Sequence, residues 1–579
     1  MTTIRCKLNL TYQITTLLED EEVDPVTSAS TASTHVIPDI NPALSSKDKQ
    51  TKAKDTTPPP SQHAGITMMQ MALTLILGAA GGSLILYQNR ERLYSMRHTH
   101  WDSPRPYGGK TEFELALEKI KSILPEEDID MDEASLRSHG HSAWSYHNLG
   151  HPQVVITPHT IQQVSEVVKV AAQYRIPIIP FGGGTSIEGH YTAPKGGICL
   201  DMHHFDTVQV NEADMQAVVG SGVSWELLNE ALKGKGLFFP ADPGPGAKIG
   251  GMISVGCSGT NSVRYGTIRD WVLSITAVLP DGSVVKTRRA VLKSAAGYNL
   301  TQLLIGAEGT LGVIVEATLK LAPIPKEMSV ALCDFPTTRS AANVVHEVVQ
   351  SGIQIGAIEF LDDVMIKCVN MAYPKQKLVE RPTLYFKFSG NGKQQVENDV
   401  KLVGEIVRKH GGGKFRFANS ETEKAEIWEG RKTCLLSAAA MQPEKDIWTT
   451  DVIVPVSKLP ELIAQTQADL KSSFLLAPMV GHVGDGNYHL IILFNKDVPK
   501  EVDEAARLSN TVVDRALALG GSCTGEHGVG IGKKKYLIRE HGEETLKMMW
   551  KIKEAIDPLG IMNPEKVLPR LSGDDDGHH

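Results

Sequence analysis

The chain has 579 residues, of which 41% are hydrophobic and 22% charged, with a formal net charge of -8 and a pI of about 6.2. That length exceeds what one hydrophobic core supports, so we expect at least two globular domains. The acidic balance and the lack of a polybasic tract exclude a nucleic-acid-binding protein. The seven cysteines are scattered and never in CxxC spacing, which predicts reduced thiols and excludes a disulfide framework or an iron–sulfur cluster.

The N-terminal part of the chain contains two segments of opposite character. Residues 1–63 are rich in Ser, Thr, Pro and charge, which predicts a disordered leader and a possible mitochondrial presequence, although the acidic run Glu19–Glu22 is atypical of one. Residues 64–87 carry no charge, and as a helix they would extend about 36 Å against a hydrocarbon core of about 30 Å. A transmembrane helix is therefore predicted, with a buried core helix as the alternative.

Strand and helix signals alternate after residues 88–138, which are expected to form a linker and a helical lead-in. HPQVVITPHT predicts a short strand, IQQVSEVVKVAAQY a helix by its Val/Ile spacing, and IPIIPFGGGTS a strand that ends in a glycine loop. This order predicts an α/β unit. Further strands are expected at 197–200, 217–219, 272–279 and 311–319. The prolines of LAPIP then predict a domain boundary near residue 325.

The second half of the chain has a different pattern. Alternating runs such as TLYFKFSG and TTDVIVPV are separated by long helical stretches, which predicts a second, α+β domain. A further helix is expected near residues 503–519.

Two glycine-rich stretches near the C-terminus carry side chains suited to chemistry. His482 and His489 lie in GHVGDGNYHL, and Glu526 and His527 lie in CTGEHGVGIG. Two imidazoles and one carboxylate can bind a divalent metal such as zinc or manganese, which leaves His527 as a general base with an ordinary pKa of about 6.5. The alternatives are turns that carry surface histidines, or a zinc hydrolase that lacks the HExxH motif.

A third glycine-rich stretch, PFGGGTSIEGH at residues 180–190, follows a predicted strand. Successive backbone N–H groups there can form an anion-binding nest for a diphosphate, with the hydroxyls of Thr185 and Ser186 as added donors. The spacing matches neither a Walker loop nor the GxGxxG fingerprint. Taken alone, the stretch is therefore as well explained by structural turns.

Four segments in sequence, PFGGGTS, GPGAKIGG, CSGTNSVRYGTIRDWV and IGAEGTLGVI, resemble the FAD-binding domain of the vanillyl-alcohol-oxidase (PCMH) type. GHVGDGNYH, GEHGVG and NPEKVL are similar to the C-terminal domain of FAD-linked D-2-hydroxyacid dehydrogenases, and the resemblance covers about His139 to Leu568. It implies an α+β fold. A two-lobed PCMH-type FAD-binding domain is expected at 139–325, a cap domain with an antiparallel sheet and a metal site at 326–535, and a C-terminal helical segment at 536–579 that returns to the FAD-binding domain.

The resemblance also implies roles for individual residues. The metal ligands would be His482, His489 and Glu526, the catalytic base His527, and the carboxylate-binding arginine Arg431. The implied contacts to a non-covalently bound FAD are Pro180, Gly182, Gly183, Gly184, Thr185, Ser186, Gly189, Gly250, Gly251, Ser258, Gly259, Tyr265, Gly266, Glu308, Gly309, Gly312, Ile314 and Asn563.

Two of these assignments have alternatives. Arg431 can instead form a surface ion pair with Glu426 or Glu429. His190 is the position at which a covalent link to the flavin would be expected if the chain had one.

The activity implied by the resemblance is oxidation of D-lactate to pyruvate, with hydride transfer to flavin N5 and electrons passed to cytochrome c or another external acceptor. The metal would bind the substrate hydroxyl and one carboxylate oxygen, His527 would accept the hydroxyl proton, and Arg431 would bind the carboxylate. Thr449 stands where relatives acting on 2-hydroxyglutarate have a lysine, which favours a monocarboxylate.

Other functions remain open at this point. Glycolate, D-2-hydroxyglutarate or another D-2-hydroxy acid could be the substrate, and the chain could be a non-catalytic membrane flavoprotein. The implied location is the mitochondrial inner membrane, with the catalytic domain facing the intermembrane space.

Overall fold

The computed structural model describes residues 107–571. The predicted leader at 1–63 and the predicted membrane span at 64–87 lie outside the described residues. Within residues 107–571, no helix has the length and apolar character needed to cross a membrane.

The described residues form three main sheets with helices packed against them. The strands are β1 (Ile129–Asp130), β2 (Val154–Ile156), β3 (Ile178–Phe181), β4 (Ile198–Asp201), β5 (Val208–Asn211), β6 (Gln216–Gly220), β7 (Leu237–Phe238), β8 (Val272–Val278), β9 (Val284–Lys286), β10 (Val313–Lys320), β11 (Ala322–Pro323), β12 (Glu327–Asp334), β13 (Ile355–Leu361), β14 (Thr383–Gly390), β15 (Arg416–Phe417), β16 (Asp446–Thr449), β17 (Val452–Ile453), β18 (Met479–Gly481) and β19 (Asn487–Phe494). The α-helices are Lys110–Ile120, Glu133–Ser138, Ile161–Tyr174, Trp225–Ala231, Ile249–Val255, Ser262–Tyr265, Leu300–Leu304, Thr338–Gln350, Asp363–Ala372, Lys393–Lys409, Glu421–Lys432, Cys434–Met441, Leu459–Ser472, Pro499–Ala518, Leu537–His541 and Glu543–Ile556.

The first sheet has the strand order β1–β2–β4–β3, in which β2, β4 and β3 run parallel. The helix Ile161–Tyr174 lies between β2 and β3 in the chain. It begins after Thr160, whose hydroxyl accepts the N–H of Gln163, and it buries one apolar face. It ends at Tyr174, and the next residue, Arg175, has a left-handed backbone conformation with φ 57°. The predicted strand–helix–strand unit is therefore confirmed.

The second sheet is antiparallel, in the order β5–β6–β10–β8–β9. Side chains of β8 and β10 share one core with the helices Trp225–Ala231 and Ile249–Val255. The four strands predicted between residues 197 and 319 are all observed, as β4, β6, β8 and β10, with ends within two residues of the expected ones.

The third sheet is also antiparallel, in the order β15–β12–β14–β13–β18–β19–β16, with β17 paired to β19. The helices Thr338–Gln350, Leu459–Ser472 and Pro499–Ala518 pack on one face of this sheet. The helices Asp363–Ala372 and Cys434–Met441 pack on the other face. The predicted α+β character of this part of the chain is confirmed, and the helix expected near 503–519 begins four residues earlier, at Pro499.

The C-terminal segment returns to the first sheet. Ile178 in β3 donates its N–H to the carbonyl of Ile561, and the N–H of Asn563 donates to the carbonyl of Ile178, each over 2.8 Å. Ile561 and Met562 are fully buried in the core of the first sheet. The implied return is therefore confirmed, and it fixes Asn563 close to the end of β3.

Candidate active site

A cavity of about 320 Å³ lies where the glycine loop after β3, the helix Ile249–Val255 and the third sheet meet. The predicted FAD-contact residues that line it are Pro180, Gly182, Gly183, Gly184, Thr185, Ser186, Gly250, Gly251, Gly259, Glu308, Gly309, Gly312, Ile314 and Asn563. The predicted catalytic and metal-binding residues line the same cavity: Arg431, His482, His489, Glu526 and His527. The fold thus brings both predicted groups to one place.

Two predicted FAD contacts outside the cavity lining are glycines that support its wall. Gly189 has φ 74°, and a Cβ there would lie 2.6 Å from the carbonyl oxygen of His147. Gly266 has φ 71°, and a Cβ there would overlap the carboxylate of Asp270. Both positions therefore require glycine for reasons of packing and backbone conformation.

The other two predicted FAD contacts that do not line the cavity are Ser258 and Tyr265. Ser258 donates its hydroxyl to Oε2 of Glu526 over 2.7 Å, so it orients a predicted metal ligand. Tyr265 packs edge to face on Phe238, with 5.5 Å between ring centroids. Direct contact of these side chains with FAD stays a prediction.

The glycine loop after β3 runs close to a neighbouring loop. A Cβ on Gly183 would lie 2.5 Å from the carbonyl oxygen of Gly246, and Gly184 has φ 63°. A Cβ on Gly251, by contrast, would meet nothing within 4 Å, so this position opens onto the cavity. The backbone here can approach an extended anionic ligand without obstruction by side chains.

Asn563 supplies an oriented polar group in the cavity wall. Its Nδ2 donates to the backbone carbonyls of His190 and Glu308, over 3.0 Å and 2.7 Å. These bonds leave Oδ1 buried and without a hydrogen-bond partner among residues 107–571. A buried acceptor of this kind fits a ring N–H of a bound ligand. The glycine loop and Asn563 together suit FAD.

The predicted metal ligands converge on one carboxylate oxygen. His482 follows β18 and His489 lies in β19, so the hairpin between these strands places both imidazoles on one side. His482 Nε2 lies 2.9 Å and His489 Nε2 lies 3.3 Å from Oε1 of Glu526. The three ligand atoms are within 4.8 Å of one another, as the donor set of a divalent metal requires.

The second ring nitrogen of each imidazole, Nδ1, which we call the outer nitrogen, also has a partner. His482 Nδ1 lies 3.0 Å from Oε1 of Glu359, and His489 Nδ1 lies 3.3 Å from the carbonyl oxygen of Thr450. Metal-bound histidines usually donate their second N–H to a carboxylate or a carbonyl in this way, which fixes the tautomer and directs the free nitrogen at the metal. Burial would raise the pKa of Glu526, but the His482 and His489 rings outweigh it and hold that pKa well below its usual range. The residues present therefore fit a divalent metal.

His527 lies next to this group, with its ring stacked on that of His489 at 4.7 Å between centroids. Burial is the main reason that the pKa of His527 falls to about 3; the Asp451 carboxylate opposes this shift, and His489 and Lys533 add to it. The expectation of an ordinary pKa is wrong because burial disfavours the charged form of the ring. The imidazole is therefore neutral at physiological pH and one ring nitrogen carries a lone pair, but burial makes it a weaker base than an exposed histidine.

Arg431 is buried at the end of the helix Glu421–Lys432, and its Nη2 donates to Oε2 of Glu359. The alternative of a surface ion pair with Glu426 or Glu429 is wrong, because the side chain points into the protein. Its Nε is buried and has no hydrogen-bond partner in the described part of the chain. The guanidinium therefore has one N–H donor that no residue of the described part satisfies.

Two carboxylates that sequence reasoning missed organise this site. Glu359 contacts both Arg431 and His482, and its only local signal is that it is the charged residue of the apolar strand IGAIEFL, which is buried throughout. A lone charge in such a strand requires a partner. Asp451 is fully buried, and its Oδ2 accepts the N–H groups of Gly525, Glu526 and His527 over 2.8–2.9 Å.

The side chain of Glu308, a predicted FAD contact, stabilises a neighbouring loop. Its carboxylate accepts the N–H groups of Val529 and Gly530, over 2.6 Å and 2.8 Å. The loop that carries Glu526 and His527 is thus held from two sides, by Glu308 and by Asp451.

Comparison with known proteins agrees with this layout. The family model described as "FAD binding domain" matches residues 152–288, and the one described as "FAD linked oxidases, C-terminal domain" matches residues 324–567. The chain is 46% identical over 455 residues to the "D-lactate dehydrogenase [cytochrome], mitochondrial" of Arabidopsis thaliana, covering 78% of this chain and 80% of that protein. It is 40% identical over 482 residues to "D-lactate dehydrogenase [cytochrome] 1, mitochondrial" of Saccharomyces cerevisiae, covering 80% and 82%.

Among solved structures, p-cresol methylhydroxylase with substrate bound superimposes with a TM-score of 0.68 at 16% identity, covering 81% of this chain and 99% of that one. At this identity the likeness concerns the fold. It supports the PCMH-type arrangement of the first two sheets followed by a cap.

Proposed function

Because the chain belongs to the family of FAD-linked D-lactate dehydrogenases, we propose that it oxidises D-lactate to pyruvate with FAD and a divalent metal and passes the electrons to cytochrome c. The observation that carries the metal-dependent part is the convergence of His482, His489 and Glu526, with the outer imidazole nitrogens already held by Glu359 and Thr450. A set of surface histidines would have no reason to be oriented in this way.

His482, His489 and Glu526 would hold the metal, and the glycine loop after β3 with Asn563 would hold FAD. When bound, these groups supply a Lewis acid for the substrate hydroxyl and a hydride acceptor for the adjacent carbon. The chain's own residues have three tasks. Arg431 binds the substrate carboxylate, Glu359 keeps that guanidinium in place, and a ring nitrogen of neutral His527 takes the hydroxyl proton.

The choice of D-lactate within the D-2-hydroxy acids rests on the cavity wall and on the relatives. Thr449 lines the cavity where a lysine would be expected for a second carboxylate. Its Oγ1 is buried and has no hydrogen-bond partner in residues 107–571. A polar but uncharged side chain at this one position favours a monocarboxylate. Curated relatives at 40–46% identity carry the name of D-lactate dehydrogenase.

The test is anaerobic titration of the purified protein with D-lactate, L-lactate, glycolate and D-2-hydroxyglutarate, followed through the flavin absorbance. D-lactate should bleach the flavin at the lowest concentration, and oxidised cytochrome c should then restore it. Bleaching by D-2-hydroxyglutarate alone would overturn the substrate assignment. A colourless protein would contradict the assignment of FAD as the cofactor and would favour a zinc hydrolase.

The metal has a separate test. Exhaustive chelation should abolish D-lactate oxidation while the flavin stays bound, and added zinc or manganese should restore it. Full activity in metal-free protein would show that the three ligands have another role.

We also propose a location at the mitochondrial inner membrane, attached through residues 64–87, with the catalytic part in the intermembrane space. The support is the uncharged segment and the mitochondrial names of the relatives. Recovery in the supernatant after alkaline carbonate extraction of mitochondria would contradict membrane integration.

A further inference from the structure

The loop that joins β9 to the helix Leu300–Leu304 exposes large apolar side chains. Every residue from 291 to 300 is exposed. Leu292 is 75% exposed and Tyr298 is 96% exposed, and Val291 and Leu300 are close to half exposed. Single exposed hydrophobic residues are common on protein surfaces, but several in one short loop mark an interaction site.

The same loop is positively charged in an acidic protein. Residues 282–307 contain Lys286, Arg288, Arg289 and Lys293 and no carboxylate, whereas the whole chain carries a net charge of -8. Lys286 has a distant partner in Glu316, at 3.9 Å. Within the described part of the chain, no carboxylate lies within 4 Å of the other three cations. The loop therefore presents uncompensated charge beside its apolar tips.

The loop has a defined conformation at both ends. Arg288 Nη2 donates to the carbonyl of Val291 over 2.5 Å, which closes the start of the loop. Asn299 Oδ1 accepts the N–H of Gln302 over 3.2 Å, which caps the helix that follows. Hydrogen bonds therefore fix both ends of the loop, and Leu292 and Tyr298 lie exposed between them.

We propose that residues 288–300, called here the basic apolar loop, dock on an anionic lipid surface. The apolar tips would enter the interface while Arg289 and Lys293 face the headgroups, a combination typical of peripheral membrane contacts. Tyr298 suits this position, since tyrosine combines an apolar ring with a polar tip. This contact is independent of residues 64–87 and of the catalytic proposal.

The full chain reconstituted in vesicles provides the test, because the described cysteines are all buried and an introduced cysteine can be labelled once Cys6 is replaced by serine. A fluorophore attached to L292C reports on the loop. A fluorophore attached to M548C, at a position that is 64% exposed on the helix Glu543–Ile556, is the control. The vesicles contain nitroxide-labelled lipid in phosphatidylcholine, with or without one quarter phosphatidylglycerol.

We expect quenching at least threefold stronger at position 292 than at position 548 in the anionic vesicles only. R289E/K293E should abolish the quenching at position 292. K401E/R408E makes the same charge change at exposed positions of the helix Lys393–Lys409 and should leave the quenching unchanged. D-lactate oxidation should be unchanged in all variants.

Three results would overturn the proposal. These are no quenching at position 292, equal quenching in vesicles of pure phosphatidylcholine, or a probe at position 292 that is already shielded from aqueous iodide without vesicles. The last result would indicate that another protein surface covers the loop.

Discussion

Glu359 bridges two side chains with different proposed tasks, the substrate-binding Arg431 and the metal ligand His482. Its carboxylate is 1% exposed, so each oxygen is available only to these partners. Glu359→Gln keeps the shape but replaces one acceptor by a donor that faces other donors. We expect metal affinity to fall by about 10–100-fold, as for other residues that orient metal ligands, while FAD stays bound.

Zinc titration of the metal-free protein and the flavin absorbance check this prediction. Glu501→Gln is the matched control, because Glu501 pairs with Lys445 at 2.8 Å away from the cavity. An unchanged zinc affinity in Glu359→Gln would show that His482 is oriented without it.

Asp451 holds three consecutive N–H groups of the loop that carries Glu526 and His527. Asp451→Asn removes the charge and turns one acceptor into a donor, so buried N–H groups lose their partner. We expect a loss of about 3–5 kcal/mol in the free energy of unfolding. Urea denaturation measures it, with the half-exposed Asp446 as control: Asp446→Asn should cost less than about 1 kcal/mol. Equal losses would contradict the role of Asp451.

His147 links stability to pH. Burial, together with the positive charges of Lys535 and Lys533, lowers its pKa to about 3, whereas an unfolded histidine titrates at about 6.5. Below that value the unfolded chain gains a proton that the folded chain does not, so stability falls as the pH drops from 6.5 toward 3.

For His147→Gln we expect the loss of unfolding free energy between pH 7 and pH 5 to shrink by about 2 kcal/mol relative to wild type. Urea denaturation at the two pH values provides the comparison. The same pH dependence in both proteins would mean that His147 is protonated in the folded state.

The hairpin formed by β18 and β19 is the element that sets the spacing of His482 and His489. Gly486 in its turn has φ 93°, and a Cβ there would overlap the carbonyl oxygen of Val454. Gly486→Ala therefore adds steric overlap to the cost of a left-handed backbone. We expect the steric overlap to lower the free energy of unfolding by about 1–3 kcal/mol, in addition to the cost of placing alanine in a left-handed backbone conformation. We also expect weaker zinc binding.

Gly352→Ala measures the cost of the left-handed backbone conformation alone, because Gly352 has φ 72° and a Cβ there would meet nothing within 4 Å. It should cost about 1–2 kcal/mol and leave zinc binding intact. Equal effects of the two substitutions in urea denaturation would show that the turn adapts to the extra carbon.

Elements were predictable from the sequence where their pattern was local. The Val/Ile spacing predicted the helix Ile161–Tyr174, and the alternating run TLYFKFSG predicted β14. The strands β13 and β18 were not identified, because a strand buried on both faces reads as a short apolar run without period 2. The glycine motifs around His482 and Glu526 carry a family resemblance, which identifies both residues as candidate metal ligands from the sequence.

At the scale of the whole molecule, the sequence does not show which distant segments meet. Glu359 and His482 are 123 residues apart, and their contact follows from the pairing of β13 with β18. The position of Asn563 likewise depends on the return of the C-terminal segment to β3. Such contacts are fixed by the order of strands in a sheet, which no single segment encodes.

The C-terminal return also makes a prediction about the whole fold. A chain that ends at Pro558 would lack Ile561 and Met562, both fully buried in the core of the first sheet, and Asn563 in the cavity wall. Loss of two buried aliphatic side chains of this size costs about 2–5 kcal/mol each. We therefore expect the truncated protein to lose its flavin during gel filtration, measured by the ratio of flavin to protein absorbance. A chain that ends at Leu571 is the control and should keep the flavin. A truncated protein that retained stoichiometric flavin would show that the FAD-binding part closes without this segment.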